Sequence, residues 1–271
     1  LGTFLGSIPR FDKETVWYDP CIFDPETYED ITLQTTHNHW LDIHLALVDE
    51  GLKRSNNRYL VGIPDLIENI DTLAALRGTT EVLSDLMDRP DWVNEKIGQI
   101  DIAWCQAFDI FYDRVKDKDN GNAFSAFQIW GPGKTAKIQC DFSAMISPRM
   151  FRKFVQPSLQ YQCNFLDYSL YHLDGTTAVQ HLDALLEVDD LNAIEWTPQA
   201  GKPGGGSPEW YSLYHRIKNA GKGIQAVGVE KDEVIPLIEE IGPAGTFIIV
   251  NGPVSVDEAE DLSKGLEQFR H

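Results

Sequence analysis

The sequence predicts one α/β domain over residues 1–271, built as a (β/α)8 barrel of the triosephosphate isomerase type. Short apolar segments closed by turn residues alternate with amphipathic helical segments, which is typical of a parallel sheet with helical crossovers. A chain of 271 residues suits such a barrel, since one needs about 250. No G-x-G-x-x-G follows any apolar segment, and this disfavours the alternative, an open doubly wound sheet that binds a dinucleotide.

Six apolar segments are predicted to be strands buried on both faces. They are Tyr59–Ile63, Ala123–Trp130, Tyr168–His172, Ala193–Trp196, Ile224–Val229 and Phe247–Val250, with Val16–Tyr18 as a shorter seventh. A closed barrel needs eight strands. The sequence begins at Leu1 without a Met or a signal-like pattern, so we expect an amino-terminal segment of the barrel to be missing.

Helical patterns fill the intervals between these segments. Pro90 precedes Asp91–Val115, and Ser147-Pro148 gives Arg149–Phe165 a cap and a first-turn proline. The other predicted helices are Asp30–Lys53, Asp71–Arg77, Glu81–Met87, Thr176–Glu187, Pro208–Asn219, Lys231–Ile241 and Ser255–Phe269. The glycine-rich stretch Gly201–Ser207 is predicted to be a mobile loop.

Charge and cysteine usage limit the partners. The chain has 42 acidic and 23 basic residues and a formal net charge of -19, so nucleic acid and anionic membranes are unfavourable partners. No apolar run approaches the roughly 18 residues of a membrane span. The four cysteines form no C-x-x-C pair, which favours a reducing cytoplasm over a disulfide framework.

Polar and aromatic residues collect at the carboxyl ends of the predicted strands. In a parallel barrel these ends converge on one mouth, which is where such barrels carry their active sites. The residues are Asp65, Gln128, Trp130, His172, Asp174, Glu195, Trp196, Glu230 and Asn251. Turn chemistry alone also places Asp and Asn at strand ends, so the whole pattern, rather than any one member, predicts the site.

His172 and Asp174 are the centre of the predicted site. They are two residues apart in one strand, so both side chains face the same way. An imidazole beside a carboxylate suits proton transfer or metal binding. The alternative is a structural histidine held by a loop-capping Asp. Cys140 is a further metal ligand in the first interpretation, and a small buried hydrophobic residue in the second.

From Tyr59 onward the chain resembles the uroporphyrinogen decarboxylase superfamily, in the broad sense that includes corrinoid-dependent methyltransferases. It looks closest to the bacterial branch of trimethylamine-corrinoid-like proteins. The segments that carry the resemblance are Tyr59–Asp65 with Leu73–Gly78, Phe127–Trp130, Ile146–Phe151, Phe154–Pro157 and Tyr171–Gly175. The resemblance implies a β/α barrel, a site at its mouth and a homodimer.

The resemblance also implies the chemistry. In the methyltransferase branch zinc is held by a His-x-Cys pair and a later Cys; here His172 matches the His, Asp174 stands where the first Cys would be, and Asn251 lies near the place of the second. The leading hypothesis is therefore a methyltransferase that moves a methyl group between a small substrate and a corrinoid protein. Zinc on His172, Asp174 and Cys140 is the metal expectation.

Roles for the other residues follow from that hypothesis. Asp65, His172, Asp174 and Glu195 are predicted to be catalytic. Gln128, Trp130, Trp196, Glu230 and Asn251 are predicted to bind the substrate. Two alternatives stay open, namely decarboxylation of a porphyrinogen or another carboxylated substrate, and a non-catalytic binding protein on the same barrel.

Overall fold

The computed structural model describes residues 1–13 and 15–269, which fall into two compact units. We call Leu1–Ser169 the amino-terminal unit and Leu170–His271 the carboxy-terminal unit. Together they contain mixed α and β structure with parallel pairing among the later strands, as the sequence predicts. One barrel domain, closure of eight strands and a missing amino-terminal segment stay predictions.

The amino-terminal unit is mainly helical in its first half. Strands β1 (Ile8–Phe11) and β2 (Val16–Asp19) form an antiparallel pair, so the segment around Trp17 is a strand, as predicted, but in a hairpin. The helices are α1 (His39–Ser55), α2 (Asn69–Arg77), α3 (Thr79–Asp88) and α4 (Pro90–Val115). The predicted helix from Asp30 begins nine residues later, where Asn38 caps α1 by accepting a hydrogen bond from the Leu41 amide.

Helix α4 forms the core of this unit. Its buried residues recur every three or four positions, including Val93, Ile97, Ile100, Trp104 and Phe108, which is the stripe that packs against neighbouring helices. The indole of Trp104 is 1% exposed and donates a hydrogen bond to the Leu66 carbonyl at 2.9 Å. This contact holds the segment around Asp65 against the helix.

Two strand predictions in this unit are wrong. Tyr59–Ile63 contains no strand; only the Ile63 amide bonds to the Ala123 carbonyl, at 3.0 Å. The segment 123–130 is a hairpin instead of one strand, because Gln128 takes a left-handed conformation, with φ 55°, and turns the chain back. Its elements are β3 (Asn122–Phe124) and β4 (Ile129–Gly131), and β5 (Thr135–Gln139) follows them.

The end of the amino-terminal unit is one helical stretch, as predicted. Ser147 accepts a hydrogen bond from the Met150 amide at 3.3 Å and Pro148 occupies the first turn. The stretch consists of α5 (Pro148–Met150), a π-helical segment (Phe151–Val155) and α6 (Gln156–Phe165).

The carboxy-terminal unit has the parallel arrangement that the sequence predicts. Its strands are β6 (Tyr168–Asp174), β7 (Ala193–Thr197), β8 (Gly223–Val229) and β9 (Thr246–Val250), and each pairs in parallel with the next. The helices are α7 (Gly175–Ala178), α8 (Leu182–Leu186), α9 (Tyr211–Asn219), α10 (Val234–Ile241) and α11 (Val256–Leu266). Parallel pairing brings all four carboxyl ends to one edge of the sheet.

Short 3-10 turns complete the described elements. They are Gly2–Leu5, Ser125–Phe127, Asp141–Met145, Val179–His181, Pro208–Trp210, Lys231–Glu233 and Glu267–Phe269. Within residues 1–13 and 15–269, no helix combines the length and the apolar character needed to cross a membrane.

Candidate functional site

A row of polar side chains crosses β6, β7 and β8. His172, Glu195 and Gln225 are paired in register, and paired residues of parallel strands project from the same face. The Nδ1 atom of His172 and Oε2 of Glu195 form a hydrogen bond, and the hydroxyl of Thr197 donates to Oε1 of Glu195. Both oxygens of a carboxylate that is 1% exposed are therefore bonded.

This pairing equips His172 for proton transfer. A carboxylate on Nδ1 fixes the orientation of the ring and stabilises the imidazolium, so that Nε2 is the nitrogen that can exchange a proton with a ligand. The His172 side chain is 16% exposed, whereas that of Glu195 is 2% exposed. His172 can therefore be reached by a ligand while its partner stays shielded from water.

A pocket of about 410 Å³ lies at the carboxyl ends of β7, β8 and β9. Thr197, Gly228, Glu230 and Asn251 line it, together with the loop that follows β7. Thr197 both lines this pocket and bonds to Glu195, so it connects the pocket with the buried His172–Glu195 pair. The volume is within the range of small-molecule sites.

The loop after β7 is anchored instead of mobile, which corrects the prediction for Gly201–Ser207. The Gly205 amide donates to the Val227 carbonyl at 2.9 Å, and the Trp210 indole donates to the Pro203 and Gly204 carbonyls. A Cβ on Gly204 or Gly205 would collide with backbone oxygens of β8. The glycines are needed for this close backbone approach, and the loop forms a fixed wall of the pocket.

Tyr214 also anchors the loop that follows β7. Its buried hydroxyl donates to the Gly205 carbonyl at 2.6 Å. Burial, and then the charge of Glu195, raises the pKa of Tyr214, so its hydroxyl stays protonated and remains a donor.

Tyr214→Phe is expected to lower the free energy of unfolding by about 1–2 kcal/mol, because it leaves the buried Gly205 carbonyl without this donor. Urea denaturation measures the change. Tyr211→Phe is the matched control, since Tyr211 is less buried and precedes it on the same helix. Equal stability of Tyr214→Phe and the wild-type chain would contradict this role of the hydroxyl.

Four of the predicted residues lie with His172 in the carboxy-terminal unit, on the face or edge that the sequence predicts. Asp174 ends β6 and is paired in register with Thr197. Glu230 follows β8 and accepts a hydrogen bond from the Asn251 side chain at 2.8 Å, and both line the pocket. Glu195 is bonded directly to His172. This edge of the sheet is therefore the candidate site.

Trp196 is the exception among the predicted residues of this unit. Its side chain is fully buried and packs edge-to-face on Trp210, with ring centroids 5.0 Å apart. Neighbouring residues of a strand face opposite sides, so Trp196 points away from Glu195 and into the helical layer. It is a packing residue, and its predicted role as a wall of the substrate site is wrong.

Three of the residues predicted to be catalytic or to bind the substrate lie in the amino-terminal unit. Gln128 and Trp130 belong to the β3–β4 hairpin, and neither ends a parallel strand as the sequence predicted. The Trp130 indole is half-exposed and donates to Asp117 at 3.1 Å. Asp65 forms an ion pair with Lys137, with the two atoms 2.7 Å apart.

Cys140 is also in the amino-terminal unit, where it follows β5. Burial, reinforced by the charge of Asp71, raises the pKa of its thiol well above the usual value. Among the described residues no three His, Cys, Asp or Glu side chains converge as a metal site, so the expected ligand set for zinc is not assembled here.

Sequence reasoning missed the residues that surround these side chains. Thr197 and Gln225 gave no signal, because a hydroxyl and an amide are ordinary in a strand. Lys137 did give one, since it is a cation between the apolar residues Ala136 and Ile138. It is fully buried and also bonds to Gln139 at 2.6 Å. Buried lysines are rare unless they are paired, so its position points to a carboxylate partner.

Comparisons with known proteins bear on the fold. No protein-family model matches the sequence, and no curated protein matches it. Among solved structures the chain is similar to a methyltransferase from Methanosarcina mazei, with a TM-score of 0.63 and 12% sequence identity. The match covers 100% of this chain and 78% of that one. The chain therefore shares the α/β fold of that methyltransferase.

Proposed function

We propose that the chain is a methyltransferase of the uroporphyrinogen decarboxylase-like type, moving a methyl group between a small substrate and a corrinoid protein. The His172–Glu195 pair, which Thr197 connects to the lining of the 410 Å³ pocket, carries the proposal. The fold that the chain shares with a methyltransferase favours methyl transfer among the reactions such a pair can serve.

His172 is the general acid in this proposal. When a methyl group passes from a methoxy oxygen, or from the nitrogen of an unprotonated amine, to the corrinoid acceptor, the bonding electron pair stays on that heteroatom, which then needs a proton. Nε2 of His172 donates the proton, and Glu195 stabilises the charged ring beforehand. Thr197 holds the second carboxylate oxygen, so that Glu195 keeps its orientation during the transfer.

The pocket limits the substrate. The lining carries one acidic side chain, Glu230, and one basic side chain, Lys202, and Asp174 is acidic nearby, so the pocket offers no excess of positive charge to a multiply carboxylated compound. Methylated amines and methoxy compounds suit a pocket of this size and charge. A corrinoid carried by a partner protein would accept the methyl group when it is bound. The pocket volume suits the small substrate alone, so the corrin ring would stay on the partner protein.

The test is a methyl-transfer assay with a carrier protein loaded with cob(I)alamin. Methylamines and methoxy compounds are offered one at a time, and the change in corrinoid absorbance is followed. We expect transfer from at least one substrate and its loss in His172→Gln. Absence of transfer from every substrate tested would contradict the proposal. Loss of carboxylates from uroporphyrinogen in a parallel assay would favour the decarboxylase instead.

A further inference from the structure

A buried carboxylate joins helices α4 and α6 of the amino-terminal unit. Asp101 of α4 is 4% exposed, and its Oδ1 atom accepts hydrogen bonds from two side chains of α6. The hydroxyl of Ser158 donates at 2.6 Å, and the side-chain amide of Gln162 donates at 2.9 Å. Both partners are neutral, and in the described part of the chain no cation interacts with Asp101. An ionised Asp101 is therefore a buried charge without a counter-charge.

The cluster of Asp101, Ser158 and Gln162 also has more acceptors than donors. The amide of Gln162 donates a second, longer hydrogen bond to Oγ of Ser158 at 3.3 Å. Oε1 of Gln162 is buried without a donor, and Oδ2 of Asp101 receives no hydrogen bond from any described residue. An ionised carboxylate can only accept hydrogen bonds, whereas a protonated one also donates. One proton on Asp101 therefore removes the buried charge and supplies the cluster with a donor.

The other titratable groups that face Asp101 are neutral at pH 7. Burial, followed by the charge of Asp101, raises the pKa of Cys105, one turn further along α4, to about 12. Burial also raises the pKa of Tyr161 on α6. No charged side chain of α1, α2, α3 or the π-helical segment, among the residues described, acts on Asp101. Burial raises the pKa of Asp101 itself to about 7, and the hydrogen bonds from Ser158 and Gln162 oppose this shift.

We infer that the cluster of Asp101, Ser158 and Gln162 is a pH-responsive contact between α4 and α6, which is firm when Asp101 is protonated and weaker when it is ionised. Protonation at Oδ2 preserves both hydrogen bonds to Oδ1, since a neutral carboxyl group still accepts on its carbonyl oxygen. Ionisation places an uncompensated charge where the two helices pack. The inference concerns the amino-terminal unit and does not rest on the proposed methyl transfer.

Asp101 should make the fold less stable as the pH rises. The pKa of an aspartate in an unfolded chain is about 3.9, so between about pH 4 and pH 7 the folded chain keeps a proton that the unfolded chain releases. The stabilisation from this proton is complete below about pH 4 and is lost as the pH rises through about 7. From this group alone, the unfolding equilibrium constant should rise about tenfold or more between pH 5 and pH 8.

Urea denaturation of the full 271-residue chain at pH 5 and pH 8 tests the inference with Asp101→Asn. Asparagine keeps the shape of the side chain but does not titrate. Other buried carboxylates are common to both chains, so comparison with the wild-type chain cancels their contributions. We expect Asp101→Asn to lose the roughly tenfold pH dependence that Asp101 contributes and to be more stable than the wild-type chain at pH 8. The same pH dependence in both chains would overturn the inference.

Asp113→Asn is the matched control on the same helix. Asp113 is 68% exposed, and the hydrogen bond from Lys116 lowers its pKa, so it stays ionised from pH 5 to pH 8. Its variant should therefore keep the pH dependence of the wild-type chain. Loss of that dependence in Asp113→Asn as well would contradict the assignment to Asp101.

The ¹³C chemical shift of the Asp101 carboxyl carbon reports its titration directly in the folded chain. The signal is identified by its absence in Asp101→Asn, and its midpoint should lie near pH 7. Ser158→Ala removes a hydrogen bond that stabilises the ionised form, so the midpoint should rise by about 0.5 to 1 pH unit. A midpoint near pH 4, or one that Ser158→Ala leaves unchanged, would contradict a contact shared by the two helices.

Discussion

Glu195→Gln is expected to lower kcat/KM for the proposed methyl transfer by a factor of about 10² to 10⁴, the range for losing a positioned general acid. Glutamine keeps the shape of the side chain but removes the charge that stabilises protonated His172. The Thr197 hydroxyl can still donate to its oxygen, so the strand pairing should be unaffected. His172→Gln should cause a loss of similar size, since the two side chains act as a unit.

The decisive measurement is the double variant. If His172 and Glu195 act together, the double variant should have nearly the same kcat/KM as either single variant, within a small factor. Glu239→Gln is the matched control, because it makes the same chemical change on an exposed carboxylate of the same unit. Glu195→Gln with wild-type kcat/KM and unchanged thermal stability would contradict the assigned role.

The sequence predicts the carboxy-terminal unit well because its strands follow a simple rule. Each of β6 to β9 is a short apolar segment closed by a turn, and each is a strand close to the predicted residues. The predicted Glu230 and Asn251 lie together at one edge as a result. The bond between His172 and Glu195 could not be predicted, because it depends on the register between two strands.

Local backbone conformation explains the failures in the amino-terminal unit. A continuous apolar segment gave no sign that Gln128 would adopt a positive φ and divide it into a hairpin.

The alternation of side chains along a strand, in contrast, could be predicted from the sequence. Glu195 and Trp196 are adjacent, so they could not both face the site, and the larger apolar side chain is the one that is buried in the helical layer.

The ion pair between Asp65 and Lys137 leads to a second large effect, on stability. The two partners are unequally buried, since the side chain of Asp65 is 39% exposed and that of Lys137 is 0% exposed. Asp65→Asn is expected to lower the free energy of unfolding by about 3 kcal/mol, because it leaves a buried cation without its carboxylate. That is the lower end of the range for breaking a buried pair, since Gln139 still accepts a hydrogen bond from Lys137 and Glu68 lies near it.

Lys137→Met should lower the free energy of unfolding by less than Asp65→Asn does. Lys137→Met leaves Asp65, which water can reach, and methionine fills much of the space of the lysine stem. Glu68 should stay protonated in that variant. Burial raises its pKa well above the usual value, and Lys137, the cation that opposes this shift, is no longer present.

Urea denaturation of the two single variants and of Asp65→Asn with Lys137→Met measures the coupling between the pair. The double variant should recover most of the stability that Asp65→Asn alone loses, because no buried charge is left unpaired. If Asp65→Asn were as stable as the wild-type chain, the Lys137 charge would have to be compensated by Glu68. Glu68→Gln introduced into Asp65→Asn would then cause a loss of about 3 kcal/mol that Glu68→Gln alone does not cause.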